Sequence, residues 1–306
     1  MFYKLRFLCS RAGCFALLAL LVFAGCKNAA PKKDDAEAAD TTENTDTMKV
    51  AKKKHHVFHS IPSPLQISAL LKQAGAKYSG GILLNPANSG KYATNFSKSL
   101  VVGIYGTDLA YSNMFGQTQQ GISYMEAIMK VSDGLGLSSM LSSSKMLSRF
   151  QQNMGNQDSL FAIVSELYRD TDESLKENHQ NSSASLILAG GWIEGLYIAT
   201  RLARTNPNKN LNDRIAELKF SLNGLLASLE DLKQNAEYTP LINSLEDINK
   251  TYESVSLTYT SKAPATNEEA KVTTINSSSK VQLSEAQLKE LTEQIGNLRT
   301  SIVKTN

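Results

Sequence analysis

Cysteine is missing from residue 27 onward: Cys9, Cys14 and Cys26 are the chain's three cysteines. The remainder has no thiol nucleophile, no redox pair, no Cys-based zinc site and no disulfide, so packing alone must hold it together. Histidine is nearly as scarce. Four are present, and only His179 lies beyond residue 59. A Ser/His/Asp set therefore has one base to draw on, and no G-x-S-x-G turn exposes a serine for it. Neither a G-x-x-x-x-G-K-[ST] loop nor a strand-following G-x-G-x-x-G is found, and no cofactor is expected. An excess of charge is also lacking. Setting aside the N-terminal Lys4, Arg6 and Arg11 leaves 29 of the 32 basic residues, against 29 acids. That balance argues against nucleic-acid binding, which needs a clustered basic surface.

What is present begins with an address. MFYKLRFLCSRAGCFALLALLVFAGCK carries those three basic residues and no acid, then an apolar run from Cys14 to Ala24, Gly25 and Cys26. Such a layout predicts a secretory signal peptide over 1–25. The run is too short to span a bilayer, which takes about 20 apolar residues. FAGC resembles the lipobox of bacterial lipoproteins, with Phe23 where Leu is usual, which implies lipidation of Cys26. The alternative is a secreted protein cut elsewhere. Lys27 after the Cys, rather than Asp, resembles outer-membrane sorting. Residues 26–60 are rich in Lys, Asp, Glu, Thr and Ala, without periodicity. They cannot bury enough apolar surface to offset their ordering entropy and read as a disordered tether. Asp40-Thr41-Thr42 and Asp46-Thr47-Met48 resemble O-glycosylation sites of Bacteroidetes-type secreted proteins, with plain disorder the simpler reading. His55, His56 and His59 follow three lysines in KKKHHVFHS. They lack a fixed acid and sit beside repelling cations, so a solvated tether is preferred to a metal site.

From Ser63 the pattern turns helical. Ser63-Pro64 starts one helix and Gly75 stops it. A second is expected from about Tyr92 to Phe115, with Tyr92, Phe96, Leu100, Gly103, Thr107, Tyr111 and Met114 on one face. Others are expected over Thr118–Leu135, Ser139–Met154, from Asn156 through Leu175, and Ser183–Arg204. Leu211, Ile215, Leu218, Leu222, Leu225, Leu229 and Leu232 form a heptad stripe suited to antiparallel packing. Thr239-Pro240 opens a helix expected to run through Tyr259. A linker, with a short strand at 271–275, precedes a last helix announced by Ser284 and Gln287 as a capping box and Leu283 and Leu288 as a staple. His179 is expected to cap a helix end. The fold class expected is all-α, a bundle of about eight helices after the tether, with a helical domain over 61–262 and a linker plus C-terminal helix over 263–306.

IPSPLQISALLKQAGAKY, LNPANSGKYATNFSKSLVVGIYGTDLAY and LILAGGWIEGLYIAT resemble uncharacterised, mostly helical lipoproteins of Bacteroidetes-type bacteria, over about Ile61 to Leu232. The resemblance implies a compartment and a helical fold and supplies no catalytic residue.

One stretch invites a site. LILAGGWIEGLYIA holds the only Trp, Trp192, and one acid, Glu194, among glycines. Gly191 and Gly195, four apart, make a smooth helix face. VVGIYGTDLAY repeats the layout with Gly103, Gly106 and Asp108. Two notched helices crossing there would bring the acids together, with Arg201 as a partner sharing the face of Glu194. The structural reading is a crossing with a satisfied acid. The functional one is a ligand pocket lined by Asp108, Trp192 and Glu194, and a third is an envelope enzyme using an acid pair. The sequence as a whole predicts a non-enzymatic interaction or scaffold lipoprotein of the envelope. It would be held in the membrane by lipid on Cys26, with an envelope protein as partner.

Overall fold

The computed structural model describes residues 61–260, 265–267, 272–274 and 278–304. Cys26, the two Asp-Thr sites and His55, His56 and His59 lie outside the described residues. Among the described residues, ten α-helices make up the body: α1 (Pro64–Gln73), α2 (Asn95–Met114), α3 (Thr118–Ser132), α4 (Ser138–Ser143), α5 (Met146–Gln152), α6 (Gln157–Glu177), α7 (Asn181–Thr205), α8 (Lys209–Leu229), α9 (Thr239–Glu253) and α10 (Glu285–Val303). The all-α class is what the periodicity predicted. The sheet content among the described residues is two short antiparallel ladders, β1 (Ser256–Thr260) with β4 (Ser278–Gln282) and β2 (Ala265–Asn267) with β3 (Val272–Thr274).

Local chemistry sets the helix ends. Ser63 accepts from the Gln66 amide and Gln66 answers the Ser63 N–H, a full capping box, with Pro64 fixing the first turn. Ser284 and Gln287 do the same for α10, and Leu283 and Leu288 pack against the core beside it. Asn156 caps α6 through the Ser159 amide. At the other end of α6, His179 takes the left-handed backbone position, φ +56°, usually given to glycine. It ends the helix through its backbone, not its side chain.

Three elements differ from expectation. The helix expected over Ser139–Met154 is broken into α4 and α5 by left-handed Lys145. The Ser144 hydroxyl turns back to the Leu141 carbonyl at 3.0 Å, the competition with the backbone that makes a serine run a poor helix interior. α9 stops at Glu253, and Tyr259 falls in β1. The 263–306 segment is not set apart, since α10 packs on α7 and α9 within the same compact unit.

Packing divides into two styles. Leu211, Ile215, Leu218, Leu222, Leu225 and Leu229 of α8 are buried, and so are Leu241, Ile242, Leu245, Ile248 and Tyr252 of α9. α2 and α7 instead are buried on every side. From Ser99 to Asn113 and from Ala189 to Leu196, each residue is sealed from solvent, the mark of a central helix. α7 is long and apolar enough to cross a membrane, but 78% of its most apolar window is buried inside the protein, so it is a core helix. The two backbones touch where side chains are missing. A methyl on Gly103 would lie 2.0 Å from the Ile187 carbonyl oxygen, and one on Gly190 would lie 2.0 Å from that of Leu100. The notches thus interlock through Gly103 and Gly190. Gly195 faces Ile67 of α1, and Gly106 faces the Tyr168 hydroxyl of α6.

Candidate functional site

The α2–α7 crossing carries the two acids to one point. Asp108 lies five residues beyond Gly103 on α2, and Glu194 four residues beyond Gly190 on α7. Both are 0% exposed, and the charge of Glu194 bears directly on the Asp108 carboxyl. Glu194 is neutralised from α10. Arg299 Nε donates to its Oε2 at 2.5 Å and Nη2 to its Oε1 at 2.8 Å, a two-pronged ion pair. Arg299 is itself 8% exposed, and its guanidinium carbon lies 4.2 Å from the Tyr197 ring centre. Burial works against its charge, but Glu194 beside it overrides that and moves the Arg299 pKa further up.

One loop closes the cluster with its backbone. Leu84 N–H donates to Asp108 Oδ2 at 3.1 Å, the Ile82 carbonyl accepts from Arg299 Nη2 at 3.4 Å, and the Asn85 carbonyl accepts from Tyr105 at 3.1 Å. Asp108 Oδ1 is buried and receives no donor. Burial pushes the Asp108 carboxyl well above its ordinary range and the Glu194 charge adds to this, while Arg299 and the Leu84 amide pull the other way. Burial also raises Tyr92, Tyr105, Tyr124 and Tyr168, the phenols around it.

The structure unites Asp108 and Glu194 but not Trp192. The indole N–H donates to Ser221 Oγ of α8 at 2.8 Å. Trp192 lines a separate, largely apolar cleft of about 210 Å³ with Ile61, Pro64, Tyr168, Leu175 and Leu188. The single concavity expected for the three residues does not form. Arg201 is not the partner of Glu194 either. It stacks on the Tyr197 ring at 5.1 Å and packs toward α10 at Gly296. Seven residues of helix, at about 1.5 Å rise each, put it two turns along the axis, too far for a direct pair.

Arg299, Leu84, Tyr92 and Tyr105 belong to the cluster and were not foreseen. Arg299 left a trace in the sequence. It stands four residues after Ile295 and three before Ile302, on the apolar face of α10, where a charge needs a buried partner. Among the described residues, no three His, Asp, Glu or Cys side chains gather as a metal site. The chain matches no protein-family profile, no curated protein and no solved structure.

Proposed function

We propose that the protein is a lipid-anchored lipoprotein of the bacterial envelope, sorted to the outer membrane, whose helical body acts as a non-enzymatic interaction or scaffold component. The anchor rests on Cys26 after Phe23-Ala24-Gly25, at the end of a short apolar run with a basic start. The non-enzymatic body rests on one observation. The two acids best placed for chemistry are wholly buried, and Glu194 is held in an ion pair. A general acid or base must reach its substrate, and these side chains are enclosed by Arg299, buried tyrosines and a closing loop. Outside, Met154, Phe161 and Phe220 are exposed, side chains of the kind partner surfaces bury.

The test is metabolic labelling with a tagged fatty acid in an expressing cell, followed by membrane fractionation. The wild-type chain takes up label and sediments with the outer membrane, whereas Cys26→Ser stays unlabelled. Equal labelling of both, or of neither, overturns the anchor.

A second reading is favoured by the Trp192 cleft. Its apolar lining and size suit a small apolar ligand, and the Asp108/Glu194 part of the expected pocket is not needed for it. Trp192 is the only tryptophan, so a saturable change in its emission with a hydrophobic probe supports this reading. A flat response across probes removes it.

A further inference from the structure

The Asp108–Glu194–Arg299 cluster has an odd charge count. Two carboxyls and one guanidinium are packed together away from water, and the pair between Glu194 and Arg299 is complete in itself. Asp108 is left with one oxygen satisfied by an amide and one with no donor. An ionised carboxylate is acceptor-only, and a bare one beside a second carboxylate is doubly penalised, by desolvation and by repulsion. A protonated carboxyl resolves both difficulties. Its O–H is a donor, and each Glu194 oxygen keeps a lone pair after accepting from Arg299.

We propose that Asp108 holds a proton in the folded protein and donates it from Oδ1 to the Glu194 carboxylate, so that Asp108, Glu194 and Arg299 form a neutral core unit whose assembly takes up one proton from solvent. Among the described residues, a single cation offers compensation. The ionisable groups whose charge bears on Asp108 are Tyr105 from α2 itself, Tyr124 from α3, Tyr168 from α6, Glu194 from α7 and Arg299 from α10, while Tyr92, from the loop before α2, bears on Tyr105, Glu194 and Arg299. Arg299 is the one cation in that set. The four phenols are neutral at ordinary pH and shifted further from ionising. The bound proton thus joins the Leu84 loop, α2, α7 and α10 in one hydrogen-bonded unit.

The sign of the linkage follows. Asp108 has its ordinary pKa in the unfolded chain and a raised one in the folded protein. The folded state therefore binds more protons over the interval between the two values. Stability from this group is full below the ordinary aspartate range and is lost as pH rises toward the folded value.

The test compares the purified full chain with Asp108→Asn, whose amide offers an oxygen to the Leu84 amide and N–H to Glu194 without a proton to lose. Urea unfolding is followed at steps from pH 5 to 8. The unfolding equilibrium constant of wild type relative to the variant should rise with pH, by up to about tenfold per unit while Asp108 keeps its proton in the folded state. A ratio that stays constant with pH overturns the proposal. Should Asp108→Asn fail to fold, the wild-type protein answers alone. With carbon-13 in its aspartate carboxyls, its infrared spectrum at pH 7 should show a protonated carboxyl stretch that moves with the label. Absence of such a band overturns the proposal.

Discussion

α8 meets α9 through leucine and isoleucine, and α2 meets α7 through missing side chains and a polar knot. In the first contact, a stripe at heptad spacing fills the space between two backbones, and the Tyr252 hydroxyl has its own acceptor in the Ile215 carbonyl at 2.9 Å. In the second, Gly103 and Gly190 let the backbones touch, and the next turn of each helix supplies an acid. The two designs fail differently. An apolar stripe loses stability in proportion to the volume removed. A polar knot fails as a unit, because each deleted member leaves another buried and uncompensated.

Five substitutions probe that difference, beginning with the largest effect. Arg299→Met keeps most of the side-chain bulk but strands Glu194 in the core. The expected cost is about 3–5 kcal/mol, read as a large drop in the urea midpoint or loss of the folded state. A drop under about 1 kcal/mol would show that water reaches the cluster. Leu222→Ala, in the apolar contact, should cost about 2–4 kcal/mol with cooperativity kept. Gly103→Ala places a methyl against a carbonyl rather than a movable side chain, and should cost about 1–3 kcal/mol. Gly195→Ala, whose nearest neighbour is the Ile67 Cδ1 at 2.9 Å, should cost less. If Gly195→Ala is the worse of the two, the backbones do not cross where described. Ser284→Ala removes one half of a capping box and should cost about 1 kcal/mol, shown by earlier amide exchange in the first turn of α10.

The apolar design was legible because it is periodic. The α8 stripe from Leu211 to Leu229, the capping box of α10 and the ends of α3 and α7 follow from spacing and cap chemistry alone. The meeting of Asp108 and Glu194 was legible in part, since glycines five and four residues before the acids marked where helices could close up. Arg299 was not, because it comes from 105 residues further along, and no period connects it to Glu194. Arg201 looked better by proximity in sequence and was wrong by distance along the helix. Trp192 points away from the acids because its helix is surrounded, so its neighbours in sequence face different partners: α8 for the indole, α10 for the carboxylate.

Arg299 follows Glu194 by 105 residues, which gives the order of synthesis a physical meaning. The acids of α2 and α7 leave the ribosome long before their cation does. Until then, the central crossing has one acid able to take a proton and another with no counterion. Closing the core early is therefore penalised, and closing it with the final helix is not. A chain ending before residue 299 is expected to stay open, soluble in urea without a transition and readily cleaved by protease. α10 thus closes the core by bringing the cation that Glu194 needs.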